Sequence, residues 1–334
     1  MTPSFKFKKN LLTILIVLAI VLIGINIILK NASTSPPPKE TSINEEEISQ
    51  RFRNIFRDFG IEADFIKERK SIDKKSRREF ESFKIQVPKD LSIPEILLEI
   101  YKSFSKDSIT INSVEKVKGG RSFLILKSDN HVILDAEFEY SKSYYRNMGS
   151  LVFILFNVDP TNSSTISLIE SPTKLNFLIR PESKYLQSIE RIINNSQQFS
   201  ILIDDEISEQ KYQLGQGFSE QRIINVIKTL VTDFKKAVCF VIDDNSNFYK
   251  SANYKIFSSG LLKRKIKLYK SSDFVLLDYR ESLDFVFAEE LSELSKGGTK
   301  IFLLNEETYS ALKTEITKYE MKGFKVVTSS LVLE

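Results

Sequence analysis

Residues 175–206 read LNFLIRPESKYLQSIERIINNSQQFSILIDDE. An apolar run over 175–179 stops at Arg180-Pro181. Leu186, Ile189, Ile192 and Ile193 then recur at helical spacing, and a second apolar run over 199–203 ends in Asp204-Asp205-Glu206. Strand, helix and strand at this spacing form a crossover unit whose two strands run parallel. The same rhythm continues outward. Apolar runs stand at 151–156, 238–242, 274–277, 301–304 and 324–327. Between most of them lie helical patterns: Ile223, Val226, Ile227, Leu230 and Phe234 follow a cap at Ser219, and Leu312, Ile316 and Tyr319 lead to Gly323. Strands alternating with helices predict a parallel sheet over 149–334, closed into an incomplete β/α barrel or left open and doubly wound.

Residues 44–148 have a different pattern. Ile48, Phe52, Ile55, Phe56 and Phe59 form one amphipathic helix that stops at Gly60. Ser92, Pro94 and Glu95 have the spacing of a capping box ahead of a second helix over 93–104. Alternating stretches over 83–87, 109–117, 122–127 and 132–140 read as strands, with a tight turn at 128–130. Two helices over a small antiparallel sheet make a small α+β domain of ferredoxin-like type.

The first thirty residues stand apart. Residues 11–29, LLTILIVLAIVLIGINIIL, carry no charge, and as a helix they reach about 28 Å, near the thickness of a hydrocarbon core. Lys6, Lys8 and Lys9 outweigh Lys30, so a transmembrane helix over 11–30 leaves residues 1–10 as a cytoplasmic tip. A cleaved signal peptide is the competing reading, although this run is longer than a signal core. Residues 31–43, with Pro36, Pro37 and Pro38, make a Pro-rich linker. The organisation is that of a bacterial inner-membrane, single-pass protein whose bulk lies outside the cytoplasm.

Charge and rare residues exclude much. The chain of 334 residues has 48 Lys and Arg against 44 Asp and Glu, and four of those cations lie in the acid-free first thirty residues. The remainder is formally neutral, which gives no basis for nucleic-acid binding. One cysteine, Cys239, excludes an intramolecular disulfide, and one histidine, His131, excludes every site that needs two imidazoles. The basic stretch from Lys67 to Arg78 is interleaved with Glu68 and Asp73 and reads as a solvated loop.

The segment order over 149–334 resembles the divergent polysaccharide deacetylases of bacterial envelopes. VFILFNVDP (152–160) is similar to their opening strand. LGQGFSEQRIINVIKTLVTDFKKAVCFVIDDNS (214–246) is similar to the stretch before their His-Met-Gly-Ser motif, and FVLLDYRES (274–282) to the strand ending in Asp-Ser. FKIQVPKDLSIPEI (83–96) resembles the small domain that precedes some members. The resemblance implies a distorted seven-stranded β/α barrel and a metal-activated water for hydrolysis. The chemistry departs from the pattern: Asn157-Val158 stands where the family has its Asp-Asp pair, and Asp243-Asp244 where it has His-Met. The expected pocket comprises Asn157, Asp159, Asp204, Asp243, Asp278 and Arg280, none of them catalytic, with no cofactor. The resemblance therefore implies a degenerate, non-catalytic member that holds cell-wall glycan or an envelope protein. The alternative is an active deacetylase with an all-carboxylate site for a divalent metal at Asp204, Asp243 and Asp278. The same aspartates also suit plain capping of strand-exit loops.

Overall fold

The computed structural model describes residues 44–73, 76–116, 120–128, 131–278, 282–294 and 296–333. Its contacts divide the chain into residues 1–52 and 53–334. The expected membrane span over 11–30 lies outside the described residues, and among those described no helix is long and apolar enough to cross a membrane.

Helix α1 (Glu45–Asp58) starts on three glutamates and ends on Arg57, in the sense its dipole favours. Gly60, at φ 63°, turns the chain out of it, as the sequence implied. Then follow β1 (Ile66–Ile72), β2 (Glu79–Val87), α2 (Ile93–Phe104), β3 (Thr110–Glu115), β4 (Ser122–Ser128) and β5 (His131–Tyr140). The five strands form one sheet in the order β1-β2-β5-β4-β3, with β2 and β5 parallel and the other neighbours antiparallel. This corrects the ferredoxin-like expectation, because β1 adds a fifth strand and the β2–β5 pair is parallel. The expected capping box is also absent: the Ser92 side chain accepts no capping bond, and the Ile93 N–H donates to the Tyr140 hydroxyl at 3.2 Å. The Glu95 N–H, which the Ser92 hydroxyl was expected to satisfy, donates to the Ser92 carbonyl at 3.1 Å instead.

The second sheet is built from β6 (Gly149–Leu155), α3 (Ser163–Ile169), β7 (Asn176–Ile179), α4 (Leu186–Asn194), β8 (Gln198–Ile203), α5 (Glu220–Asp233), β9 (Phe240–Ile242), α6 (Ala252–Leu262), β10 (Leu268–Lys270), β11 (Val275–Leu277), α7 (Leu283–Ser292), β12 (Thr299–Leu304), α8 (Glu306–Lys322) and β13 (Phe324–Val326). Its seven-strand path runs β10-β9-β8-β7-β6-β12-β11, all parallel. Strand β13 pairs with the first residues of β6.

Two observations decide between barrel and open sheet. The edge strands β10 and β11 are joined by residues 271–274 alone, which reach at most about 18 Å, whereas a flat seven-stranded sheet is about 29 Å wide. The sheet must therefore curl. Moreover, Leu151, Phe153, Leu155, Phe177, Phe199 and Phe240 pack with residues of the helices, whereas Val152, Ile154, Leu178, Leu202, Val241 and Leu303 form a separate cluster without helical residues. Helices cover one face only, as in a barrel and unlike a doubly wound sheet. The result is a curled seven-stranded β/α half-barrel with an unpaired seam between β10 and β11.

Candidate functional site

In a curled parallel sheet, ligands gather where the strands end. Five of the expected pocket residues leave the strands there. Asp204, Asp243 and Asp278 are the first residues past β8, β9 and β11, Asn157 is the second past β6, and Asp159 follows two positions later. Arg280 lies outside the described residues.

Asp204 is buried at 5% exposure and is held by a residue absent from the expected pocket. Arg180, the first residue past β7, donates from Nε to Asp204 Oδ2 at 2.6 Å, and its Nη2 lies 2.5 Å from Glu206 Oε2. Arg180 and Asp204 share the inward phase of the neighbouring parallel strands β7 and β8, and that adjacency, which the sequence alone does not give, brings them together. Burial pushes the Asp204 carboxyl above the usual carboxylate range, and the Arg180 guanidinium pulls against that shift. Its Oδ1 also accepts from the Glu206 N–H at 3.1 Å.

The other carboxylates bind donors of the strand-exit loops, Asp159 and Asp243 within their own loop and Asp205 and Asp244 across to the next. Asp159 Oδ1 accepts from the Thr161 N–H and hydroxyl at 2.9 and 2.6 Å. Burial acts upward on this carboxyl, but those bonds outweigh it and leave it below its ordinary value. Asp243 Oδ1 accepts from the Asn245 N–H at 2.9 Å, and Asp205 accepts from Asn247 and Phe248 N–H. The Ser271 hydroxyl and the Ser272 N–H hold Asp244 below its usual range. Asp278 is exposed at the end of β11. Asn157, also exposed, has φ 52°, a left-handed conformation that Asn tolerates.

Beneath these loops the inner face carries Val152, Ile154, Leu178, Leu202, Val241 and Leu303 together with Cys239 and Phe274. The cleft at the mouth, lined by Asn157, Val158, Leu178, Arg180, Glu182, Tyr185 and Leu202, encloses about 40 Å³. That is room for a few waters and far too little for a sugar ring. The donor set does not suit a divalent metal: a guanidinium already occupies Asp204, and among the described residues no group of three His, Cys, Asp or Glu is placed to hold one. His131 starts β5 in the other sheet, paired with Ser128. Cys239 is fully buried on the inner face beside the Ser200 hydroxyl, and burial pushes its thiol up to about 11. A thiol so placed is inert.

No protein-family model matches the chain, and no curated protein is significantly similar to it. Among solved structures, the chain is similar to the catalytic domain of a peptidoglycan N-acetylglucosamine deacetylase from Eubacterium rectale. The identity is 11% and the TM-score 0.39, covering 56% of this chain and 94% of that one. A CE4-family pseudoenzyme from Bacillus anthracis aligns at 12% identity and TM-score 0.37, covering 71% and 95%. A family 4 carbohydrate esterase from Streptomyces lividans aligns at 14% and 0.32, covering 58% and 97%.

Proposed function

We propose that this is a single-pass envelope protein, anchored by residues 11–30, whose half-barrel is a non-catalytic, deacetylase-like module that binds cell-wall glycan or holds an envelope partner. The observation that carries the reading is the Arg180–Asp204 pair. Hydrolysis of an acetamide by a metal-bound water needs open carboxylate or imidazole ligands, together with a base and an acid beside the carbonyl. Here a cation sits on the most buried carboxylate of the mouth, and Leu178 and Leu202 form the floor. The absence of a basic excess beyond residue 30 supports an uncharged or mixed-charge partner over nucleic acid.

The test uses the full chain purified in a neutral detergent. Acetate release is followed from N-acetylated chitooligosaccharides and from peptidoglycan with added Zn²⁺, Co²⁺ or Mn²⁺, and bound metal is measured after dialysis against metal-free buffer. The expected outcome is no metal-dependent acetate release, a metal content far below one per chain, and co-sedimentation with purified sacculi. Turnover that Asp278→Ala abolishes would establish the active hydrolase instead. An inert chain that also leaves sacculi in the supernatant would exclude the glycan reading and leave the envelope-partner reading.

A further inference from the structure

The charged stretch 66–72 forms a strand, and this sorts its charges. Cross-strand partners share a face of a sheet. Glu68 stands opposite Phe83, on the face that the helices cover, where Arg53 of α1 binds it through two bonds of 3.0 Å. Lys67 and Arg69 stand opposite Lys84 and Ser82 on the other, open face, and among the described residues neither has an acidic partner. Lys70 shares the face of Glu68 and lies 3.5 Å from Glu79, so Lys67 and Arg69 are the cations of this strand that reach the open face.

The pairing registers extend this into two rows across the sheet. One runs Lys67, Lys84, Glu137, Phe123, and the other Arg69, Ser82, Asp135, Ile125. Both pass from cation, through a polar middle, to an apolar end. A groove of about 390 Å³ lies over these rows and is lined by all eight residues. At its centre Lys84 lies 4.0 Å from Glu137 and 3.5 Å from Glu139, and Arg121 meets the same two acids at 3.3 and 3.2 Å, so those charges are satisfied within the sheet. Asp135 has no ion pair among the described residues. The apolar end continues onto β3, where Val114, opposite Phe123, is 61% exposed.

We propose that this open face binds an extended peptide segment of a partner protein, laid across the strands. Its carboxylates pair with Lys67 and Arg69, a donor bonds Asp135, and an apolar side chain rests on Phe123 and Ile125. Charge complementarity selects this occupant: Lys67 and Arg69 at one end have no acidic partner among the described residues, although Arg69 donates to the Ser82 hydroxyl at 3.3 Å. At the other end Ile125 lies beside Phe123, whose ring is met by the Lys116 ammonium at 4.4 Å. From β1 to β4 is three strand spacings, about 14 Å, which about four extended residues span. Guarding the edge strand against aggregation would account for charge on β1. It does not account for Lys67 and Arg69 both facing the groove without an acidic partner while the neighbouring Glu68 is bound on the other face. The proposal is independent of what the half-barrel does.

The experiment measures fluorescence anisotropy of a labelled hexapeptide, Asp-Thr-Asp-Ser-Leu-Phe amide, titrated with the full chain in dodecyl maltoside. Saturable binding is expected, lost in high salt and absent for the same peptide with Lys in place of Asp. Lys67→Ala with Arg69→Ala, both at exposed positions, should weaken binding about tenfold, whereas Arg77→Ala with Arg78→Ala, equal in charge but off the groove, should change it less than about twofold. Circular dichroism confirms that both variants fold. No saturable binding, or equal losses in the two variants, overturns the proposal. Vesicles rich in phosphatidylglycerol binding with the same Lys67 and Arg69 dependence, while the peptide does not bind, would assign the face to a membrane surface and overturn it as well.

Discussion

Asp204 is held between two influences of opposite sign. Its burial disfavours the charged form, while Arg180 favours it, and burial wins. A carboxyl whose pKa is raised by folding holds its proton more tightly in the native state. Its stabilising contribution is therefore complete below the ordinary value of about 3.9 and is lost as pH rises through the folded value. Asp204→Asn removes this titration while keeping the shape and one acceptor for Arg180. Urea midpoints of both proteins at several pH values between 4 and 7 give the check. Wild type should lose stability relative to the variant as pH rises across that window, and a difference that is flat or of opposite slope would show that Arg180 controls the site.

The last described turn, Ser329–Leu331, closes the half-barrel at the end away from the mouth. Ser329 accepts from Asn176 Nδ2 at 2.5 Å and donates to Gln198 Oε1 at 2.7 Å. Ser330 N–H donates to the same Gln198 oxygen, and Leu333 joins the inner apolar cluster. Truncation after Thr328 would remove an apolar anchor, leave the buried Asn176 amide with its bond to Ser200 alone, and strip the half-buried Gln198 amide of its bonds to Ser329 and Ser330, a loss of about 2–4 kcal/mol. Cys239 lies in the same cluster, so its reaction with a thiol reagent, negligible in wild type, should accelerate in the truncated chain; unchanged labelling would show that the segment is dispensable. Nothing in Thr328-Ser329-Ser330 announced this role, because three small hydroxyl residues acquire meaning only from the Asn176 and Gln198 opposite them. The half-barrel itself was legible, since fully buried strands such as 199–203 and the amphipathic α4 and α5 are decided by burial pattern. Strand β1 was hidden for the converse reason. Four charges in seven residues, IKERKSI, resemble a loop until strand alternation sends Glu68 to Arg53 and Lys67 and Arg69 to the open face. At the mouth, the aspartates were visible as residues that follow strands, but the pairing of Asp204 with Arg180 depends on which strands are neighbours.

Across the whole molecule, the two sheets are joined through one buried guanidinium. Arg146, 7% exposed, donates from Nε to Asp90 Oδ2 at 2.9 Å, from Nη1 to the Phe59 carbonyl at 2.7 Å, and from Nη1 to the Met321 carbonyl at the end of α8. Two left-handed glycines allow this approach. A Cβ on Gly60 would sit 2.1 Å from the Lys322 carbonyl oxygen, and one on Gly323 would sit 2.8 Å from the Arg146 Cβ. The chain therefore brings the end of α8 and the turn after α1 together at a single cation, which donates to two carbonyls and to the partly exposed Asp90 carboxylate. Arg146→Ala should cost about 1–3 kcal/mol, because it leaves those acceptors in place and removes their donor. It should also change how the molecule unfolds. Wild type is expected to show one transition in urea, with far-ultraviolet dichroism and Cys239 labelling coinciding, since unfolding either sheet exposes the shared groups. In Arg146→Ala the five-stranded sheet should melt first, so that dichroism begins to fall before Cys239, on the inner face of the half-barrel, becomes reactive. If the two probes still coincide in the variant, packing around Gly60 and Gly323 suffices to couple the sheets, and Arg146 serves only the local hydrogen bonds.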